Sequence, residues 1–239
     1  MDGVVTGSVQ SELGTGVVIN GRARSVRSGG TGRRMTPIYH ITHISNLPSI
    51  LQEGGLLCDA MQRTRRLFNM EIAHPNLKER RMRVPVPQGG VLADYVPLYF
   101  TERSPMLYSI HTGHVSNYTA GQEEIIYLVS SIERVQAGDC IWCFTDGHAV
   151  EAMTSFYSDP EKLSKLDWGV INAWRWKNTD DDNDRKRRKQ AEFLVLEKFP
   201  WELVESIGVI NSAMAENVRS LMRRHSHQPP VHVRRRWYY

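Results

Sequence analysis

Short segments with a strand-like pattern of apolar residues recur along the middle of this chain. Residues 38–43 (IYHITH) alternate between apolar and polar side chains and predict a strand. Residues 95–100 (YVPLYF) predict an aromatic strand, in which Pro97 indicates an edge position or an irregularity. Three further apolar runs also predict strands: 124–132, 140–145 and 192–199.

Signals for the start and the end of helices lie between these strands. Ser45 and Asn46 can cap a short helix over 47–51 that Gly54 and Gly55 end. Ser104 and Pro105 are typical of a helix start, and this helix extends to His111. Two more predicted helices begin at Asp159-Pro160 and at Ser212, and the second covers 212–224. Helices interspersed among strands, without an internal repeat, predict one α+β domain.

Positive charge is concentrated at the two ends of the chain. Residues 1–36 carry five arginines against two acids, and residues 217–239 carry six arginines and no acid. We expect a flexible N-terminal extension at 1–35, a folded domain at 36–224 and a basic C-terminal tail at 225–239. Such a tail can bind a polyanion, and a solvated terminus without a specific partner is the alternative.

Composition excludes several classes of protein. The chain has 239 residues, of which 41% are hydrophobic and 23% are charged, as is typical of a globular protein. No apolar run approaches the roughly 20 residues of a membrane helix, and the N-terminus lacks the apolar stretch of a signal peptide. Three cysteines are too few for a disulfide framework. We therefore expect a soluble protein of a reducing compartment with no membrane partner.

A zinc site is one possible chemistry of this sequence. His111 and His114, with Cys140 and Cys143, include the ligand types of structural zinc. However, alternate residues of a strand face opposite ways, so the two thiols of the predicted strand diverge. We interpret the cysteines as buried small residues and keep a nonenzymatic, zinc-containing nucleic-acid-binding module as an alternative. The sequence contains no GxGxxG, Walker, HExxH or GxSxG motif.

A long polar stretch precedes the last predicted strand of the middle region. Its low-complexity part, 178–189 (NTDDDNDRKRRK), is predicted to be a solvated loop. The whole stretch, 168–190, leads directly into Glu192 at the start of that strand. Long loops in compact domains are commonly functional, so we regard this one as a candidate for substrate contact.

Three segments in combination carry the most specific signal: YHITHISNLPSIL (39–51), ADYVPLYFTERSPMLY (93–108) and RKQAEFLVLEKF (188–199). Together they resemble the DarT family, bacterial toxins that ADP-ribosylate DNA and are paired with a macrodomain antitoxin called DarG. The resemblance covers about 37–210 and leaves out 1–35 and the residues after about 225.

This resemblance implies an ADP-ribosyltransferase fold, in which a split, mixed β-sheet core with flanking helices binds NAD in its cleft. It also implies a bacterial, cytoplasmic toxin that needs no metal and transfers ADP-ribose from NAD to a base of single-stranded DNA, with release of nicotinamide. The base is thymine in most of the family and guanine in a related branch. The implied partners are single-stranded DNA and DarG, and an acceptor of RNA or protein is the alternative.

The resemblance also implies site residues. Glu192 matches the family's catalytic glutamate, where a carboxylate stabilises the positive charge that develops on the ribose. Glu197, of opposite parity on the same predicted strand, carries no motif and serves as a comparison. His40 matches the first-strand histidine, with Thr42 on the same side of the strand. The other candidates for contact with NAD are Asn46, Leu47 and Tyr99.

The acceptor side has candidates that the sequence does not separate. The family has a functional arginine upstream of the YVPxYF strand, where positive charge favours a deprotonated acceptor nitrogen. Arg80 and Arg81 both fit this position. Arg103 is a candidate for phosphate contact, and Trp174 and Trp176 are candidates for stacking on bases. The alternatives are solvated helix charges for the arginines and core packing for the histidine and the aromatic residues.

Overall fold

A computed structural model describes residues 35–239, in which an eight-stranded sheet is the central element. Within this range the strands are β1 (Pro37–His43), β2 (Gly55–Leu57), β3 (Tyr95–Tyr99), β4 (Ile125–Ser131), β5 (Trp142–Thr145), β6 (Phe156–Tyr157), β7 (Glu192–Leu196), β8 (Lys198–Pro200), β9 (Ser206–Val209) and β10 (Val231–Val233). The α-helices of the same range are α1 (Leu47–Gln52), α2 (Asp59–Thr64), α3 (Pro75–Arg81), α4 (Pro105–His111), α5 (Ile132–Gln136), α6 (Trp168–Ile171), α7 (Arg185–Arg188) and α8 (Ser212–Met222). Short 3-10 helices cover Ile44–Asn46, Leu92–Asp94, Pro160–Lys165, Trp201–Leu203 and Arg235–Trp237.

The strand order of the large sheet is β10-β9-β4-β1-β3-β7-β5-β6. Neighbouring strands run antiparallel except β10 and β9, which are parallel. Strands β2 and β8 form a separate two-stranded sheet. The mixed sheet and its helices confirm the predicted α+β class.

The large sheet is split between β1 and β3. β1 pairs with β4 along its whole length, but it pairs with β3 at a single position, Tyr39 opposite Tyr99. β3 is an interior strand, so of the two readings of Pro97 the edge position is wrong and the irregularity is the one observed. A proline is tolerated there because the β3 backbone facing β1 is largely unpaired and needs no ladder donor at that position. The split leaves space between the two halves of the sheet.

The two faces of the sheet bury different clusters, as the alternation along β1 and β4 requires. Ile38 and Leu128 belong to the cluster that also contains Val218 of α8. Tyr39 and Tyr127 belong to a second cluster that contains residues of α4 and of the C-terminal segment. Helix α8 and the C-terminal segment therefore pack on different faces of the sheet.

Local sequence signals place most helix ends correctly. The Ser104 side chain accepts a hydrogen bond from the amide of Leu107 at 3.1 Å, which confirms the predicted cap of α4. Gly54 adopts a φ of 64° where α1 gives way to β2, a conformation that glycine accepts without strain. Helix α8 is capped by Asn211 rather than by Ser212, since the Asn211 side chain accepts from the amide of Met214.

The prediction of one continuous strand at 192–199 is wrong. The chain forms β7, breaks at Glu197 with a φ of 58°, and continues as β8 in the other sheet. The Glu197 amide donates to the carbonyl of Asp94 at 2.7 Å, which holds this break. An apolar run does not reveal a single left-handed residue within it, because the positive φ is stabilised by a distant contact.

The prediction of a fully solvated loop at 178–189 is also wrong. Its basic residues form α7, and Arg188 is paired with carboxylates that include Asp167 and Asp182. Lys189 is fully buried, and its ammonium group donates to the carbonyls of Ile171 and Ala173 at 2.6 and 3.0 Å. Burial lowers the pKa of Lys189 to about 8. These contacts fix the stretch directly before β7.

The C-terminal residues belong to the fold, so the expected boundary at 224 and the separate tail at 225–239 are wrong. β10 adds to the edge of the sheet beside β9, with Val231 opposite Ile207 and Val233 opposite Val209. The buried Tyr238 hydroxyl donates to the carbonyl of Ile125 at 2.7 Å. The arginine-rich composition concealed a strand of only three residues.

Except for its last residue, the expected N-terminal extension at 1–35 lies outside the described residues. Within 35–239, the helices are all too short or too polar to cross a bilayer.

Replacement of the buried Tyr238 by alanine tests whether the C-terminal segment is part of the core. Tyr238→Ala removes a buried ring and the donor to Ile125, so the free energy of unfolding should fall by about 3 kcal/mol. Val233→Ala, at a half-exposed position of β10, should change it by less than about 0.5 kcal/mol. Chemical denaturation of both variants provides the measurement. If Tyr238→Ala were as stable as the wild type, residues 225–239 would be a separate tail rather than part of the core.

Candidate active site

Two cavities meet in the region of the sheet split. The first, called the cleft, is lined by residues of β1, α1, α2, the 67–73 segment, α3 and β3, and by Glu192. The second, called the groove, is lined by α3, α4, the loop after β5 and the 176–190 stretch. Four residues line both cavities: Leu77, Met106, His148 and Gln190.

Glu192 and Arg81 form a buried ion pair at this junction. Arg81 Nη1 donates to Glu192 Oε2 at 2.8 Å, and both side chains are more than nine-tenths buried. Both residues line the cleft, and Arg81 lies one helical turn after Leu77, which lines both cavities. Both charges also act on the pKa of His148, which lines both cavities as well. The pair is thus placed where the two cavities meet.

The second oxygen of Glu192 and the second terminal nitrogen of Arg81 also have partners. Glu192 Oε1 accepts from the amide of Ala149 at 3.1 Å, and Arg81 Nη2 donates to the carbonyl of Leu92. Thr145 Oγ1 accepts from the Glu192 amide at 3.0 Å and fixes the start of β7. Buried ions are tolerated only with such satisfaction, so this pair is held in one geometry.

The charge on Glu192 is felt by two neighbouring groups. Burial, with Glu192 adding to the effect, raises the pKa of the Cys143 thiol to about 12 and the pKa of the Tyr99 phenol above its usual range. Tyr99 pairs with Glu192 across β3 and β7, and it lines the cleft as an uncharged ring. Tyr99 thus lies beside Glu192 in the cleft, and its expected contact with NAD stays a prediction.

His40 lies at the sheet split and lines the cleft. Its Nδ1 lies 2.8 Å from the carbonyl of Pro97, and since a carbonyl only accepts, Nδ1 carries the proton. Burial lowers the pKa of His40 below its ordinary value. The neutral ring therefore presents Nε2 as a hydrogen-bond acceptor.

Thr42 and Asn46 connect β1 to the segment that covers the cleft. The Asn46 side chain donates to Thr42 Oγ1 at 3.1 Å and to the carbonyl of Met70 at 3.0 Å, and it accepts from the Met70 amide at 2.6 Å. Both line the cleft, and their expected contact with NAD stays a prediction. Leu47 does not line it: its side chain is fully buried in the core, so the expected contact between Leu47 and NAD is wrong.

The structure separates the two arginine candidates. Arg80 lies on a different face of α3 and donates to the carbonyl of Val150 and to Glu151, at the wall of the groove. It makes no contact with Glu192. Arg81 is the arginine that the fold brings to the carboxylate.

The DNA-contact candidates divide in the same way. Trp176 is mostly buried beside Tyr108, whereas Trp174 is 71% exposed. The Arg103 guanidinium lies 3.5 Å from the centre of the Trp174 ring and donates to the carbonyls of Arg236 and Tyr238. Arg103 is thus occupied by protein partners, which disagrees with the expectation that it is free to bind phosphate.

Sequence reasoning missed His148. It lies in the loop after β5 and is held by a hydrogen bond from its amide to the carbonyl of Arg187 at 2.9 Å. Burial lowers its pKa, so the ring is neutral near pH 7. A single histidine in a loop carries no sequence signal that distinguishes it from a surface residue.

The zinc alternative finds no support in the arrangement of side chains. Within 35–239, no group of three or more histidine, cysteine and acidic side chains is placed to hold a metal ion. The three cysteines are free thiols, and the raised pKa of Cys143 disfavours the thiolate that zinc requires.

Comparison with known proteins identifies the family. The family model described as "DarT: ssDNA thymidine ADP-ribosyltransferase, DarT" matches residues 39–239. This match includes the residues after 225, which the motif resemblance does not cover. The chain is 43% identical over 208 residues to the DNA ADP-ribosyl transferase of Thermus sp. (strain 2.9), covering 85% of this chain and 96% of the relative. It is 45% identical over 206 residues to the enzyme of the same name from Thermus aquaticus, covering 85% and 89%.

Solved structures agree. Thermus sp. 2.9 DarT in complex with ADP-ribosylated ssDNA superimposes with a TM-score of 0.79 at 42% identity, covering 85% of this chain and 96% of that one. The same protein in complex with NAD+ gives a TM-score of 0.74 at 40% identity, covering 86% and 98%. With the family model matching most of the chain, these likenesses establish that the chain belongs to the DarT family of single-stranded-DNA ADP-ribosyltransferases.

Proposed function

We propose that this enzyme transfers ADP-ribose from NAD to a ring nitrogen of thymine in single-stranded DNA and releases nicotinamide. As a DarT-family member it is an NAD-dependent DNA ADP-ribosyltransferase and a toxin. One observation carries the assignment of residues: the ion pair of Arg81 and Glu192 lies where the cleft and the groove meet. The cleft would hold NAD, and the groove would hold the strand.

On the donor side, Glu192 acts on the nicotinamide ribose. The bond between the anomeric carbon and the pyridinium nitrogen breaks, its electron pair stays on nicotinamide, and positive charge develops on the ribose. A carboxylate held next to this carbon stabilises that charge. His40 Nε2 accepts from a ribose hydroxyl or the amide of NAD, and the uncharged Tyr99 ring packs against nicotinamide.

On the acceptor side, Arg81 and His148 act on the base. The ring nitrogen must lose its proton as it forms the bond to the anomeric carbon. Positive charge at Arg81 favours the anionic base, and the neutral ring of His148, which lines both cavities, can accept the proton. Arg80 lies at the wall of the groove, where it would contact the DNA strand and take no part in the chemical step.

DNA contact involves the two tryptophans differently. Trp174 is exposed on one side and backed by Arg103 on the other, so a base can stack on its open face. Trp176 forms part of the groove wall and packs against Tyr108. Arg103 holds this platform in place through its stacking and backbone contacts.

We also propose that the protein acts in the bacterial cytoplasm, where its partner would be the macrodomain antitoxin DarG. One relative, from Thermosipho africanus, is named a DNA ADP-ribosyl transferase-DNA ADP-ribosyl glycohydrolase fusion protein, and it is 28% identical over 189 residues. This chain covers 45% of that fusion, which supports a separate or attached glycohydrolase as the functional partner.

Mass spectrometry of oligonucleotides incubated with NAD tests the proposed reaction. A single-stranded DNA with one thymine should gain one ADP-ribosyl group, and nicotinamide should appear in equal amount. The same DNA with thymine methylated at its imide nitrogen should gain none, because that nitrogen has no proton to lose. Modification of the methylated DNA, or of guanine, RNA or protein in preference to thymine, would contradict the proposed acceptor.

Replacement of Glu192 by glutamine should slow transfer severely while the fold and NAD binding persist. The change removes the negative charge at nearly constant shape, so the rate should fall by well over about tenfold. Glu197→Gln is the matched control, since that carboxylate is exposed and lies outside both cavities. The oligonucleotide assay gives the transfer rates of both variants. Near-normal modification by Glu192→Gln would show that Glu192 is not catalytic.

Replacement of His40 by alanine should weaken NAD binding about tenfold, as expected for the loss of a buried hydrogen bond. Because the pKa of His40 is lowered from 6.5, its ring stays neutral as the pH falls to about 6.5. Wild-type NAD affinity should therefore be constant between pH 8 and about 6.5. Calorimetric titration measures both effects, with His232→Ala on β10 as the control; unchanged affinity of a folded His40→Ala would return this histidine to a packing role.

A further inference from the structure

The residues after β10 are locked onto the sheet. The Trp237 ring packs edge-on against Tyr39 and Tyr127, at 5.5 and 5.2 Å between ring centres. It also covers Gly208, where an added Cβ would lie 2.3 Å from the ring. The backbone of this segment therefore has a fixed position, and its arginines project from a rigid base.

The same segment adjoins the groove. The Tyr239 ring lies 5.1 Å from Tyr108, and its hydroxyl is 3.4 Å from the indole nitrogen of Trp176. Tyr108 and Trp176 both line the groove. Arg103 connects the segment to the exposed Trp174, because it stacks on that ring and donates to the carbonyl of Arg236 at 2.9 Å.

Arg235 and Arg236 are exposed next to this contact. Across residues 35–239, neither has a carboxylate within 4.0 Å, whereas Arg185, Arg187 and Arg188 are all paired with acids. Arginines without an acidic partner keep their full charge available for an anion from outside. No acid occurs in the whole stretch 217–239.

We propose that Arg235 and Arg236 form a phosphate-binding surface, which holds the acceptor strand where it leaves the groove past Trp176 and Trp174. This surface rests on the proposed function, since it extends the path of the same DNA strand. Its arginines contact backbone phosphates and therefore add affinity without selecting the modified base. Strands too short to leave the groove do not reach it.

The test compares two double variants that remove the same charge. Arg235→Gln/Arg236→Gln removes the proposed surface, and Arg223→Gln/Arg224→Gln removes two exposed arginines next to α8, which packs on the other face of the sheet. Affinity is measured with a catalytically inactive background for single strands of roughly 5 and roughly 16 nucleotides, a range typical of single-strand sites.

The first variant should lose about tenfold in affinity for the longer strand, and its slope of log affinity against log salt should fall by about 1.4, since each lost phosphate contact removes about 0.7. Its affinity for the shorter strand and the control's affinity for both should stay near wild type. Unchanged binding of the longer strand, equal loss for both strands, or equal loss in the control would each overturn the surface. The proposed function is judged separately, by whether the wild type modifies thymine.

Discussion

A carboxylate and a guanidinium stay ionised inside a protein only when they are paired and their other polar atoms are satisfied. Arg81 and Glu192 meet this condition because three elements bring the necessary partners together. The end of α3 supplies the arginine, the start of β7 supplies the carboxylate, and the loop after β5 supplies the amide of Ala149. Removal of one partner would leave the other as an uncompensated buried charge, so the pair fixes the junction of the two cavities.

The split of the sheet opens the cleft that Arg81 and Glu192 line. Because β1 and β3 meet at one position, a cavity opens between them without disturbing β4 or β7. Pro97 belongs to this arrangement, since its carbonyl faces His40 and sets which ring nitrogen carries the proton. The proline that marks an irregularity in the strand pattern thus orients the His40 ring that lines the cleft.

The sequence predicts the strands that bear motifs, because these lie in apolar runs with local start and stop signals. Through the motifs it also finds six of the residues that line the cleft: His40, Thr42, Asn46, Arg81, Tyr99 and Glu192. It does not separate Arg80 from Arg81, since the choice depends on how α3 is rotated against β7. It also misplaces the C-terminal segment, where three strand residues are masked by six arginines and their role depends on β9, more than twenty residues away. His148 and the turn at Glu197 are likewise products of distant contacts.

A double-mutant cycle tests whether Arg81 and Glu192 act as one unit. Arg81→Lys keeps the positive charge but loses the planar guanidinium that donates to two acceptors at once. Glu192→Gln keeps the shape but loses the negative charge. Because Arg81→Lys keeps the positive charge that favours the anionic base, its effect reports the hold of Arg81 on Glu192. The rate of thymine modification by the double variant should therefore be no lower than that of Glu192→Gln alone. Losses that multiply, so that the double variant is slower by the product of both single effects, would show two independent groups and contradict the pair as the organising feature of the site.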